Sequence, residues 1–590
     1  MCGFTSRDFT AFMSQYPNYE HWRQLILEQH AGLLAWCLFV AGMLVLWLLW
    51  RKMFKRFEVV LVFASVGAFY FSIFITDSRY AALLPLVTLI IVAHYRKPSH
   101  WKIQSIVILG FLLRLPNLIL EQPWYDETVT AAFSQIPLSN IGALGGDTHP
   151  PLFYLPFWVI GQLFGTNQIV LRLPSLLFGV LTVYLMYRLT KALGLSERTA
   201  LVAAALVAVM PGAIRYSNEA RGYAQLTAMV FTMAIAVLED KPRWFAGAGA
   251  VTVLTQNMGY VYVFCIGLVG FLWYVHQTKI LSLDGVPGGF NYWNFGPFRF
   301  YWQYKDKRWF YATALVALVG LAWIPFMFRQ LQSVSEGWWV VFAPGAIPRP
   351  LFSMTVGVRI PEPLLLQVLA IILVITLLSL ISVKKWLFTT KGNLWIAMVF
   401  GPLAIGALVS VFTPVYVDRA FLPSALGFLV LWAYVLTERQ TYERVAAVGV
   451  LAPVLAIALV GHYFPDSEVR DDWRARLTDG CGNAPVVFNT SLSTYFLTRY
   501  YLPEARNIAW SGANDINLFL PESVKEAMNI EQLRTPPNGV VCVLDLDTPI
   551  SKQGERMYNT VLTLNAETST VLSEVKNLDI EVSANVVRFP

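Results

Sequence analysis

Apolar stretches long enough to cross a bilayer recur along this chain from residue 31 to residue 462. A helix rises about 1.5 Å per residue, so roughly twenty apolar residues span a hydrocarbon core. The candidate spans are 31–50, 57–75, 80–95, 103–120, 168–190, 199–214, 224–238, 245–258, 260–275, 309–326, 362–383, 392–412, 418–436 and 445–462, about fourteen in all. Residues 245–275 read equally as one broken helix pair hinged near Gln256–Asn257. The composition agrees, with 56% hydrophobic and 14% charged residues, against about 25% charged in soluble domains. No soluble interior has room for so much apolar side chain. The net charge of +7 is then expected in cytoplasmic loops, and no basic run with interleaved aromatics suggests a nucleic-acid groove.

Basic residues set the orientation. The loops after the first span, and every second loop from there, carry twenty-two Lys and Arg. These run from Arg51, Lys52, Lys55 and Arg56 to Arg439 and Arg444. The alternate loops carry seven, namely Arg79, Arg215, Arg221, Arg329, Arg349, Arg359 and Arg419. The richer set is expected on the cytoplasmic side. Residues 121–167, 213–223, 327–361 and 413–418 then lie outside, with the N-terminal tail and everything after about 463. Residues 151–164 are apolar but short, and counting them as a crossing would break the basic bias. They read as a juxtamembrane or re-entrant piece. The first thirty residues lack the pattern of a cleaved signal peptide.

Residues 464–590 have a different texture. Strand-like runs at 486–490, 507–510, 539–546 and 584–589 alternate with turn-rich or helical pieces. This reads as one small exterior α/β domain. Cys481 and Cys542 both fall in it; pairing in an oxidising compartment and chance co-occurrence both remain open. The five cysteines form no CxxC pair and no Cys/His metal spacing.

Four polar constellations share the expected outer face. Asp126 and Glu127 follow a span directly, where carboxylates are costly unless solvated or functional. The residues after them place Val129, Phe133 and Ile136 on one helical face, expected to lie flat on the membrane surface. The plain alternative is that Asp126 is an N-cap. His149 precedes two prolines, and Tyr154 follows. Arg215, Glu219, Arg221 and Tyr223 stand at the outer end of a hydrophobic hairpin, where Arg215 and Glu219 have ion-pair spacing. Tyr416, Asp418 and Arg419 mark the point where the chain re-enters the bilayer; Arg419 also suits a headgroup anchor. Acid, imidazole and guanidinium groups at one surface suit a reaction on a lipid phosphate: arginine partners the phosphate and a carboxylate takes a hydroxyl proton.

The order of these features resembles the GT-C membrane glycosyltransferases of the family 39 type, which include protein O-mannosyltransferases and aminoarabinose transferases. The matching pieces are WYDE at 124–127, HPPLFY at 149–154, the run VLRLPSLLFGVLTVYLMYRL at 170–189, ARGYAQL at 220–226, WIPFMFRQ at 323–330, PVYVDRAFLPS at 414–424 and DDWRARL at 471–477. The resemblance covers about 103–480. It implies an all-α polytopic GT-C-like membrane domain (103–463) with a C-terminal exterior α/β domain (464–590), preceded by a tail and three extra spans in 1–102. It further implies a polyprenyl-phosphate sugar donor and an acceptor hydroxyl or phosphate on a lipid, glycan or protein, at the outer face of a bacterial plasma membrane. Asp126 matches the family's essential aspartate, and Glu127 is expected to support it. His149, Tyr154, Arg215, Glu219, Arg221, Tyr223, Tyr416 and Arg419 are candidate substrate-binding residues. No metal or cofactor is required by the sequence, although a divalent ion bridging Asp126 and phosphate is compatible with it. The loop 327–361 reads either as a lid or as packed structure. The rival readings are a transporter or flippase for lipid-linked sugars, which would favour midplane charges and internal repeats, and a non-catalytic scaffold, which would not need Asp126.

Overall fold

The computed structural model describes residues 101–276, 291–295, 298–302, 307–337, 346–356, 385–413, 415–438, 441–463, 484–512, 514–546, 570–579 and 582–589, with a few isolated positions besides. The chain divides into two compact units, 1–105 and 106–590, and the second is described here. The expected spans 31–50, 57–75, 80–95 and 362–383 lie outside the described residues.

The helices of this unit are α1 (Trp101–Leu120), α2 (Tyr125–Ser134), α3 (Leu155–Phe164), α4 (Gln168–Ala192), α5 (Glu197–Val209), α6 (Pro211–Ser217), α7 (Tyr223–Leu238), α8 (Pro242–Thr255) and α9 (Gly259–His276). A hairpin of β1 (Asn291–Phe295) and β2 (Phe298–Trp302) follows, then α10 (Lys307–Gly337), α11 (Arg349–Ser353), α12 (Thr390–Ser410), α13 (Leu422–Glu438) and α14 (Thr441–Tyr463). Among the described residues four helices are long and apolar enough to cross a membrane, or five if a bent pair counts as one span. The ten residues of α3 rise only about 15 Å, too short to cross.

Local chemistry places these boundaries. Asn167 caps α4 by accepting from the amides of Ile169 and Val170 at 3.1 and 3.0 Å, as N-cap asparagines do. Pro242 opens α8 at its first turn, where its missing N–H costs nothing. The hinge expected near Gln256–Asn257 is the gap between α8 and α9. In α10 the helix runs past the expected end at 326 to Gly337. Residues 327–337 are therefore helix and not loop, because no proline or glycine interrupts them before Gly337. Helix α13 is apolar all round and buried along nearly its whole length, as a central helix must be.

Helices α5 and α6 meet at a bend of 61°. Pro211 has no N–H to give, so carbonyls at the end of α5 lose their helical partners. Arg114 from α1 takes them over. Its Nη1 donates to the carbonyls of Gly110 and Ala208 at 2.6 and 3.1 Å, its Nη2 to Val207 at 3.3 Å, and its Nε to the Ser217 hydroxyl at 2.9 Å. A cation at a helix C-terminus also meets the negative end of the helix dipole.

The C-terminal residues form a six-stranded sheet of order β5-β4-β3-β6-β8-β7. Its elements are β3 (Val486–Asn489), α15 (Leu492–Tyr501), β4 (Arg506–Trp510), α16 (Asn514–Phe519), α17 (Glu522–Ala527), β5 (Gln532–Leu533), β6 (Gly539–Leu546), β7 (Thr570–Asp579) and β8 (Val582–Phe589). Strands β3, β4, β5 and β6 run parallel, and β8 and β7 add antiparallel. Cys481 and Cys542 form a disulfide with Cα atoms 5.2 Å apart. It is buried with Leu477, Val487, Leu497, Tyr501 and Leu544.

Because Arg114 donates to the Val207 and Ala208 carbonyls at the end of α5, Arg114→Leu is expected to destabilise the fold by roughly 1.5–3 kcal/mol. Thermal unfolding of the detergent-solubilised protein measures this; a midpoint equal to wild type would show that the bend does not need the cation.

Candidate active site

Helix α2 carries the acidic pair. Its N-cap is Trp124, and Asp126 stands inside the first turn with no capping role, which corrects the N-cap alternative. Nor is the apolar face of the helix free to contact lipid. Val129, Phe133 and Ile136 are all buried in protein, and Phe133 stacks on Tyr154 with ring centroids 4.2 Å apart. The apolar face is covered by neighbouring helices, which the periodicity alone could not distinguish from lipid.

Asp126 is 7% exposed and lies between two guanidinium groups. Arg419 Nη1 is 2.5 Å from its Oδ2, and Arg221 Nε is 3.9 Å from the same oxygen. Arg221 Nη1 also donates to the Asp126 carbonyl at 3.2 Å and to the Tyr154 hydroxyl at 3.3 Å. Burial alone would raise the Asp126 carboxyl, but Arg419, Arg221 and His149 together hold it below the ordinary carboxylate range.

His149 sits behind Arg221, with Nε2 at 3.4 Å from Nη2. Arginine can only donate, so that ring nitrogen accepts, and Nδ1 faces Asp147 Oδ2 at 3.3 Å. Burial holds the imidazole below its usual value, although Asp147 pulls the other way. Asp147 also accepts from the Tyr154 hydroxyl at 2.5 Å and from the His149 amide at 2.8 Å. Burial, with Asp147 beside it, pushes the Tyr154 hydroxyl well above its ordinary range. Arg221 lies over the Phe153 ring at 4.6 Å. The close approach needs Gly222, where a Cβ would meet Phe153 at 2.6 Å.

Glu127 points elsewhere. It accepts both Arg172 Nε and Nη2 at 2.7 Å, and the Ala220 amide at 2.9 Å. Arg172 is 2% exposed, and its Nη1 reaches the carbonyls of Asn117, Leu118 and Glu121 at 3.2, 3.3 and 2.7 Å. The pair thus ties the end of α1 and the start of α2 to α4 and to the segment carrying Arg221. Neither Arg172 nor Asp147 was singled out from the sequence. Arg172 does have a signal, a lone charge inside the apolar run IVLRLPSLL; Asp147 has only its nearness to His149.

Glu219 is 5% exposed and 3.9 Å from Arg215. Burial pushes its carboxyl up to about 7, with Arg215 and Arg419 restraining the rise. Arg419 lies near the rings of Trp124 and Tyr223, at 5.7 and 5.6 Å. Tyr416 does not join them. Its hydroxyl donates to the Ile347 carbonyl at 2.8 Å, and its ring packs among Met258, Leu403 and Phe421. The turn at Asp418–Phe421 sends neighbouring side chains in different directions, and Asp418 pairs with Arg349 at 2.8 Å.

Among the described residues, several buried polar atoms here have no hydrogen-bond partner: Trp124 Nε1, both side-chain polar atoms of Asn218, Glu219 Oε1, Arg221 Nε and Arg419 Nε. Buried polar groups are normally paired, and both donors and acceptors are left over here. Among the described residues no group of three or more His, Cys, Asp or Glu is arranged to hold a metal.

The family model for dolichyl-phosphate-mannose-protein mannosyltransferase matches residues 148–283, a stretch holding His149, Tyr154, Arg172 and Arg221 but not Asp126. The chain is thus similar to membrane glycosyltransferases of the GT-C class. Among solved structures, ArnT from Cupriavidus metallidurans bound to undecaprenyl phosphate is 12% identical, with a TM-score of 0.49, covering 82% of this chain and 98% of that one. ArnT in the apo state gives 12%, 0.48, 81% and 97%. The Archaeoglobus fulgidus oligosaccharyltransferase AglB, in complex with an inhibitory peptide and a dolichol-phosphate, is 13% identical, with a TM-score of 0.42, covering 76% of this chain and 69% of that one. No curated protein sequence matches.

Removing one partner of a buried ion pair costs about 3–5 kcal/mol, while replacing both with apolar residues costs far less. Arg172→Leu is therefore expected to destabilise strongly, and the double variant Arg172→Leu/Glu127→Leu to recover part of the loss. Thermal unfolding of wild type, both single variants (Arg172→Leu and Glu127→Leu) and the double variant checks this, and additive losses would refute the coupling.

Proposed function

We propose that the protein is a glycosyltransferase that moves a sugar from a polyprenyl-phosphate carrier to an acceptor hydroxyl or phosphate at the outer membrane face. The observation that carries the reading is the convergence on Asp126 of guanidinium groups from separate segments, Arg419 being 293 residues away in sequence. A headgroup anchor has no need of a buried carboxylate partner. Arg221 and Arg419 hold the carrier phosphate, for which planar bidentate donors are the preferred ligands. Asp126 receives or orients the acceptor hydroxyl. The donor set around Asp126 suits an anion better than a cation. Glu127 positions Asp126 and Arg221 through Arg172 and the Ala220 amide. Tyr154 and His149 hold Arg221 in place, and Tyr223 borders Arg419. Arg215 and Glu219 pair with each other within electrostatic reach of Arg419.

Asp126→Asn keeps the shape and removes the charge. In membranes given radiolabelled polyprenyl-phosphate hexoses and pentoses, it is expected to lower transfer by about 10²–10⁴-fold. A folded variant with near-full transfer would sink the assignment.

Glu219 supplies a pH test. Its folded-state carboxyl is pushed up to about 7, so it is neutral below that pH and ionises as the pH rises through it. The new negative charge beside Arg215 and Arg419 competes with the donor phosphate. Donor KM is thus expected to climb above about pH 7 in wild type and to stay flat in Glu219→Gln. The same climb in both proteins would exclude Glu219 as its source.

A further inference from the structure

The C-terminal sheet domain grips the segment that carries the acidic pair. At the end of α15, the Tyr501 hydroxyl donates to the Pro123 carbonyl at 2.6 Å, three residues before Asp126, and both partners are buried. Tyr501 belongs to the cluster around the Cys481–Cys542 disulfide, and Tyr125, the first residue of α2, packs on that cluster. The adjacent Tyr500 is inserted elsewhere, against Ala131, Phe157, Leu171 and Ala220 from α2, α3, α4 and the segment before Arg221. At the other end of the segment, Val524 of α17 presses on Gly146, where a Cβ would stand 2.1 Å from Val524 Cγ2. Gly146 precedes Asp147, the partner of His149 and Tyr154.

We infer that the C-terminal domain sets the geometry of the transfer site, with Tyr501 and Tyr500 as positioning residues that act through α2 on Asp126. This rests on the transferase reading above. The physical logic is that Asp126 sits in the first turn of a ten-residue helix. Such a helix is marginal alone and takes its position from what it packs against. Its two flanks are the α3–α4 side, fastened by Glu127 and Arg172, and the α15 side, fastened by Tyr501 and Tyr500. Loosening the second flank leaves Asp126 present but displaced, and a shift near 1 Å at a reacting group costs up to about 10²-fold in rate.

The test uses the full chain in membranes with radiolabelled polyprenyl-phosphate hexoses and pentoses, and adds an amide-exchange measurement that needs no activity. Tyr501→Phe removes one hydroxyl and keeps the ring. It is expected to lower the maximal transfer rate about ten- to a hundredfold, with donor KM and thermal midpoint close to wild type. In an Asp126→Asn background the same change should cost nothing further, because its effect passes through that carboxylate. Exchange over residues 125–134 should quicken on the order of fivefold, the value of one lost hydrogen bond, while α12 stays unchanged. Val524→Ala, which loosens the other grip, should give the same split in weaker form and serves if Tyr501→Phe does not fold. If Tyr501→Phe transfers at the wild-type rate while Asp126→Asn does not, the clamp is wrong and the transferase reading stands. Full activity in Asp126→Asn defeats the transferase reading itself, and unaltered exchange in α2 defeats the clamp whatever the activity. A raised KM or a matching fall in thermal midpoint would reduce Tyr501 to an ordinary packing residue.

Discussion

The site depends on the ion pair of Glu127 and Arg172. Burying two charges is expensive, and their attraction offsets that cost only when the geometry is good and the remaining donors and acceptors are used. Here they are. Arg172 spends its other donors on carbonyls at the end of α1, and Glu127 takes the Ala220 amide. One pair thereby fixes the end of α1, the start of α2, α4, and the turn from which Arg221 projects. Asp126, one residue before Glu127, inherits its place from that arrangement.

The charges around Asp126 do not cancel. Arg172, Arg215, Arg221 and Arg419 face Asp126, Glu127, Asp147 and Glu219, a formal balance. The Glu219 carboxyl, pushed up to about 7, is partly neutral at physiological pH, which leaves guanidinium charge without a full counter-charge. A low-dielectric surrounding makes such an imbalance costly, and an anionic ligand relieves it. The unpaired Nε atoms of Arg221 and Arg419 are the donors through which relief would come.

Much of this was legible in the sequence, for a physical reason. Charged residues beside membrane spans are rare enough to stand out, so Asp126, His149, Arg221 and Arg419 could be chosen singly and grouped by the expected topology. Tyr154 and Tyr223 came with them. Pairing across the fold was not legible. Arg172 was hidden by its apolar surroundings, which identified a span but not the polar atoms facing it. Tyr416 was misplaced because the sequence cannot show which residue of a short turn faces the site. The amphipathic pattern of α2 fitted lipid and protein equally, and only the packing of α3, α4 and α15 decides between them. The parallel run β3-β4 and the long strand β6 show in their apolar residues, whereas β7, with its polar stretch SEVKNLD, gives little signal before β8 pairs with it.

In the proposed transferase a base lies buried between two arginines, whose field weakens it as a proton acceptor. The best base has a pKa near the working pH, and Asp126 is held below the ordinary range by Arg419 and Arg221 in the free protein. Those same arginines are the proposed ligands of the donor phosphate. Once the phosphate engages them, part of their charge is answered by phosphate oxygens and no longer by Asp126 alone, and the carboxylate becomes more basic. In the proposed reaction, proton acceptance would then rise when the donor is in place and fall when it leaves. On the proposed function, the arrangement would couple the strength of the base to occupancy of the phosphate site through charge.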